Sequence, residues 1–108
     1  MNKSLITLLV AATTSLSAFA WPDKPITLVV PFPPGGSTDQ IARILSSKMG
    51  EKLGGANILV ENKAGATGTI GATFVARAPA DGHTLFVSSL GPFVIAPHLF
   101  KVQYDALK

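Results

Sequence analysis

The chain has 108 residues, with nine basic against six acidic side chains and no cysteine. That length allows one small domain, and the lack of cysteine excludes a disulfide framework and a lipid-modified thiol. A mild positive excess without a basic run gives no reason to expect nucleic acid as a partner and is compatible with an anionic ligand.

The first twenty residues read as an export signal. Lys3 supplies the positive start, Leu5 to Leu16 an apolar core broken by Ser and Thr, and Ala18, Phe19 and Ala20 a small-residue cleavage site. The mature chain is expected to begin at Trp21, and removing Lys3 with the leader leaves eight basic and six acidic side chains. The apolar stretch falls short of the roughly twenty residues that a membrane span needs, so no membrane anchor is expected.

Ile26 to Val30 is a short apolar, β-branched run bounded by prolines, which predicts a buried parallel strand. Prolines 31, 33 and 34 then stiffen a turn before Gly35 and Gly36, whose missing Cβ atoms permit unusual angles or close approach. Ser37 and Gln40 fit a capping box, and Asp39 and Arg43 have the spacing of a helical ion pair. Ile41, Ile44, Leu45, Met49 and Leu53 recur at the spacing of one apolar helical stripe, and Gly54 and Gly55 supply residues that end a helix. The free amides of such a helix start suit an anion, although a tight turn with no ligand would use the same residues.

Ile58 to Val60 predicts a second parallel strand, followed by a glycine-rich turn at 63–71 and an apolar helical pattern through Ile70, Phe74, Val75 and Ala78. Gly65, Gly68 and Gly71 have the wrong spacing for a dinucleotide fingerprint, and no phosphate loop occurs. Small residues there expose N–H groups, Thr67 and Thr69 add hydroxyls, and Gly71 fits helix packing against the sheet. The turn Pro79 to Gly82 launches a third strand, Thr84 to Val87, and a short loop at Ser88 to Gly91 leads into a helix from Pro92 to Leu99. Three strands, each followed by a small-residue loop and a helix, predict an α/β parallel-sheet layer sandwich. All three loops fall at the carboxyl ends of the strands, where open sheets of this kind bind ligands, and this brings Ser88 and Ser89 into the candidate site.

No metal-ligand spacing surrounds His83 or His98, and both are expected at the surface. Ser88 and Ser89 lack a nucleophile elbow, and no base pairs with them. An exported α/β enzyme, a hydrolase or a nucleotide-dependent protein, is the alternative class, but its nucleophile–base pair or phosphate loop is missing from the sequence.

The stretches PFPPGGSTDQIAR at 31–43 and VENKAGATGTIGATFVARAPADGHTLFVSS at 60–89, in this order, resemble the start of a TctC-like solute-binding protein. These are the Bug receptors that serve tripartite tricarboxylate transporters in the periplasm. The resemblance implies that residues 21–108 are a partial amino-terminal lobe of the type II periplasmic binding protein fold, because members of that family are considerably longer. It also implies a small carboxylated metabolite as ligand, membrane permease subunits as partners, no cofactor and no enzymatic activity. The first ligand arm would be Phe32, Gly35, Gly36, Ser37, Thr38 and Asp39, and the second Gly65, Ala66, Thr67 and Gly68, both acting largely through backbone groups and ordered water. Asp39 carries a second expectation, that it serves the helix start together with Arg43.

Overall fold

The computed structural model describes residues 20–107, so the expected leader lies outside it except for Ala20. Strand β1 (Ile26–Val30) is the centre of a three-stranded parallel sheet, flanked by β2 (Ile58–Asn62) and β3 (Thr84–Phe86) in the order β2-β1-β3. Its pairing runs from Ile26 opposite Ile58 to Val30 opposite Asn62 on one side, and from Thr27 opposite Thr84 to Val29 opposite Phe86 on the other. Being covered on both edges, β1 carries an almost unbroken apolar run, and Ile26, Leu28, Val29 and Val30 are all buried.

Helix α1 (Ser37–Lys52) packs against β1 and β2, and helix α2 (Thr69–Arg77) against β1 and β3. A wider turn, Gly91–Ile95, leads into the short helix α3 (Ala96–Leu99). Helix α1 ends as expected: Gly54 and Gly55 take left-handed angles, φ 70° and 86°, and the Gly55 amide donates to Gly50 O at 2.8 Å. Gly71 sits where α2 presses on the sheet, since a Cβ there would lie 2.9 Å from Pro31 Cβ and 3.1 Å from Lys63 O.

Three expectations change. The first half of the apolar stripe predicted for α1 does not face the sheet, because Ile41, Ile44 and Leu45 are 55%, 66% and 42% exposed while Asp39 and Ala42 are buried; Met49 and Leu53 do lie on the covered side. A hydrogen bond to Asp39 from Asn62 in β2 lies on the inward side of the helix, where Asp39, Ala42, Ser46, Met49 and Leu53 line the covered face. Next, the capping box is not formed. Gly36 is the residue that caps the helix start, no side chain closes it, and Gln40 Nε2 donates instead to Gly35 O at 3.2 Å.

Finally, His83 is buried rather than at the surface, whereas His98 is exposed. His83 Nε2 lies 3.0 Å from Asp23 Oδ1 and Nδ1 lies 3.3 Å from Asp81 Oδ1, with the Trp21 ring 6.0 Å away. The segment ahead of β1 folds back over the entrance to β3 and covers the imidazole. The turn itself is held as its residue types predict: the His83 amide donates to Asp81 Oδ1 at 3.0 Å and Gly82 adopts φ 80°. The Asp81 carboxyl is held down to about 2, chiefly by Lys24 and then by that amide.

Candidate functional site

The loops after β1, β2 and β3 leave the same edge of the sheet because all three strands are parallel. The first loop opens on a cavity of about 380 Å³ lined by Phe32, Pro33, Gly36, Ser37, Thr38 and Ser89. None of these six has a charged side chain. The first intrahelical bond of this turn runs from the Gln40 amide to Gly36 O at 3.0 Å, so the amides of Ser37 and Thr38 precede the ladder. With no side chain capping them, they carry the partial positive charge of the helix start toward the cavity. The hydroxyls of Ser37, Thr38 and Ser89 add groups that donate or accept.

Asp39 lies beneath this loop rather than in the cavity wall, and it is 2% exposed. Its Oδ2 accepts from Gly35 N and from Arg43 Nε, each at 2.9 Å, and its Oδ1 accepts from Asn62 Nδ2 at 2.9 Å. The Arg43 guanidinium first, then the Gly35 and Asn62 amides, hold the Asp39 carboxyl down to about 2. The carboxylate is therefore fully engaged inside the protein, and Arg43 offsets its charge close to the helix start. Of its two expected roles, the ion pair at the start of the helix is the one visible here.

The second loop is built differently. Gly65, Ala66, Thr67 and Gly68 have φ of 130°, 48°, 58° and 86°, four successive residues on the positive side. Glycine takes such angles freely, but a β-branched residue such as Thr67 does so only when its surroundings insist. Here the Gly68 amide donates to Gly65 O at 3.0 Å, and Thr69 Oγ1 donates to Ala66 O at 2.8 Å. Gly68 has no room for a Cβ, which would overlap the Pro92 ring and lie 3.4 Å from Pro31 Cβ. Ala66 and Thr67 are exposed, and Thr67 packs beside Gly91 of the third loop, where an added Cβ would be 3.5 Å from Thr67 O and 3.9 Å from Ser89 Oγ.

The structure thus gathers Phe32, Gly36, Ser37, Thr38 and Ser89 around one cavity. Gly35 and Asp39 support it from below, and Gly65 to Gly68 lie outside its wall, with Thr67 beside Gly91 of the third loop. Ser88 turns its hydroxyl to Ser89 O at 3.3 Å. His83 is at the opposite end of β3, between Asp23 and Asp81, so it forms no pair with either serine. Among the described residues no group of three or more His, Cys, Asp or Glu side chains could hold a metal ion, and no helix is long and apolar enough to cross a membrane. Sequence reasoning missed Asn62, although an amide on the inward side of β2, in line with Ile58 and Val60, beside a candidate loop is a usable signal.

Comparison with known proteins adds the family. Residues 41–108 match the model of the tripartite tricarboxylate transporter family receptor. A UPF0065 protein from the tcbD–tcbE intergenic region of Pseudomonas sp. strain P51 is 49% identical over 87 residues, which is 81% of this chain and 26% of that protein. Among solved structures, MatC (Rpa3494) from Rhodopseudomonas palustris with bound malate is 46% identical, with a TM-score of 0.76 over 82% of this chain and 30% of that one. Rpa4515 of R. palustris with adipate is 42% identical, with a TM-score of 0.59 over 62% of this chain and 22% of that one. The chain spans about a quarter of the length of the curated relatives it matches. The matched family is one of transporter receptors rather than enzymes. With an α/β fold of parallel strands and a family match over more than half its length, the chain belongs to the tripartite tricarboxylate transporter receptor family.

Proposed function

We propose that residues 21–108 form the ligand-gripping part of the first lobe of a periplasmic receptor, exported by the leader at 1–20. The receptor binds a small carboxylated metabolite and delivers it, unchanged, to the permease subunits of a tripartite tricarboxylate transporter. The observation that carries this reading is the uncapped start of α1 beside a cavity that Ser37 and Thr38 line and that has no charged side chain in its wall. Peptide donors at a helix start suit a carboxylate, and hydroxyls at its rim can bind through water. The malate and adipate named for two structural neighbours are of the same chemical class. Ser37, Thr38 and Ser89 would meet one carboxylate, Phe32 would shield it from solvent, and Gly65 to Gly68 would approach from the second loop.

Calorimetric titration of the full-length receptor with malate, adipate and citrate is the test, with the ligand recovered and analysed afterwards. Binding of at least one of them, recovered intact, is the expected result, and Ser37→Pro, which removes an amide, should weaken it about tenfold or more. Chemical conversion of the ligand, or binding that Ser37→Pro leaves untouched, would sink the reading.

A further inference from the structure

We propose that Asn62 is a positioning residue that locks the first and second loops of the site to one another through the buried carboxylate of Asp39. Its purpose rests on the carboxylate-binding reading, but its test does not. Asn62 closes β2, and its side-chain Nδ2 donates twice, to Phe32 O at 3.1 Å and to Asp39 Oδ1 at 2.9 Å. The other oxygen of Asp39 holds the Gly35 amide at 2.9 Å. The proline-rich loop is therefore fastened at both ends, at Phe32 and at Gly35, to one amide–carboxylate pair. Only Lys63 and Ala64 separate Asn62 from the positive-φ run that starts at Gly65, and the Lys63 amide is itself tied to Val30 O at 2.8 Å.

The consequence is preorganisation. A ligand settling on the Ser37 and Thr38 amides meets a second loop already at a fixed distance, so binding does not have to order it. Generic strand packing would ask for an apolar side chain at position 62. The amide found there instead has both N–H groups committed to the first loop and its supporting carboxylate.

The experiment is amide hydrogen exchange on the ligand-free chain, read by NMR at Gly35, Gly68 and Leu28. Gly68 reports the second loop, because its amide donates to Gly65 O and makes no contact with Asp39. Asp39→Asn keeps the shape of the side chain, and both it and Asn62→Leu should speed Gly68 exchange about tenfold while Leu28 in β1 keeps its rate. The double variant Asp39→Asn with Asn62→Asp rebuilds the bond between the two positions with donor and acceptor reversed but leaves Phe32 O without its donor, so it should bring Gly68 only part of the way back to the wild-type rate. Acceleration that includes Leu28 to the same extent would signal general loss of stability and overturn the proposal. So would Gly68 rates within about twofold of wild type in both single variants. Calorimetry on full-length wild type and Asn62→Leu separates the two readings. A wild type that binds none of malate, adipate and citrate retires the functional reading and leaves exchange to decide the coupling, whereas equal affinity of both proteins for the acid that binds overturns the positioning role.

Discussion

The first and second loops occupy equivalent places after neighbouring parallel strands, yet they are made rigid by opposite means. The first uses three prolines and a buried carboxylate, and its Gly36 keeps an ordinary extended conformation, φ −72° and ψ 172°. The second has no proline and no buried carboxylate beneath it, and it holds two non-glycine residues at positive φ by packing Gly68 against Pro31 and Pro92. A stiff backbone can thus be written into the residues themselves or imposed by neighbours. The imposed kind stores about 1–3 kcal/mol at each strained position.

The sharpest way to break the contrast is Gly68→Ala. Its Cβ has nowhere to go and its φ of 86° disfavours any side chain, so a loss of about 2–3 kcal/mol is expected in urea unfolding. The loss should propagate to the third loop through Pro92. An unchanged urea midpoint would mean that the second loop is not held by its neighbours.

Of these two loops, acid should act on the first, in the same range where it loosens the Asp81 turn at the other end of the sheet. The Asp39 carboxyl is lowered to about 2 from an ordinary value of 3.8, so its stabilising effect is complete above about pH 4 and is lost as pH falls toward 2. Carbon-13 carboxyl titration is expected to give a midpoint near 2 for Asp39, rising toward 3.8 in Arg43→Ala. A wild-type midpoint at the ordinary value would dissolve the difference between the loops.

The smallest effects come from a matched pair. Gly36→Ala meets only Pro33 O at 3.5 Å and should shift stability by about 0.5 kcal/mol or less. Thr67→Gly relieves a φ of 58° and should raise stability by up to about 1 kcal/mol, net of the added backbone freedom of glycine. Thermal unfolding of the two variants side by side checks both. A stabilised Gly36→Ala with a destabilised Thr67→Gly would invert the comparison.

Much of this architecture was legible because it is local. The prolines around Ile26 to Val30, the glycines at 54 and 55, and the Pro79 to Gly82 turn each punctuate the chain by their own backbone chemistry, and the elements fall between them. What escaped depends on contacts distant in sequence. At the start of α1 the inward side carries Asp39, held by Asn62 of β2, so the hydrophobic spacing of Ile41, Ile44 and Leu45 misled there although Met49 and Leu53 followed it. His83 is covered by Trp21 and Asp23, about sixty residues earlier, and nothing in its own neighbourhood announces burial. In the second loop the residue types Ala66 and Thr67 conceal their left-handed angles, because strain imposed from outside leaves no mark on composition. The first-loop positions were readable for the converse reason.

The fold-back of Trp21 to Lys24 onto His83 and Asp81 has a practical corollary. It anchors the start of the expected mature chain at the floor of the sheet, the full length of β3 away from Ser88 and Ser89. A fluorophore attached ahead of Trp21 would sit far from any bound solute and stay dark to it, whereas one at an exposed loop position such as Pro34 would be at the mouth. Under the proposed function, a metabolite sensor made from the full-length protein should therefore carry its dye on the proline loop.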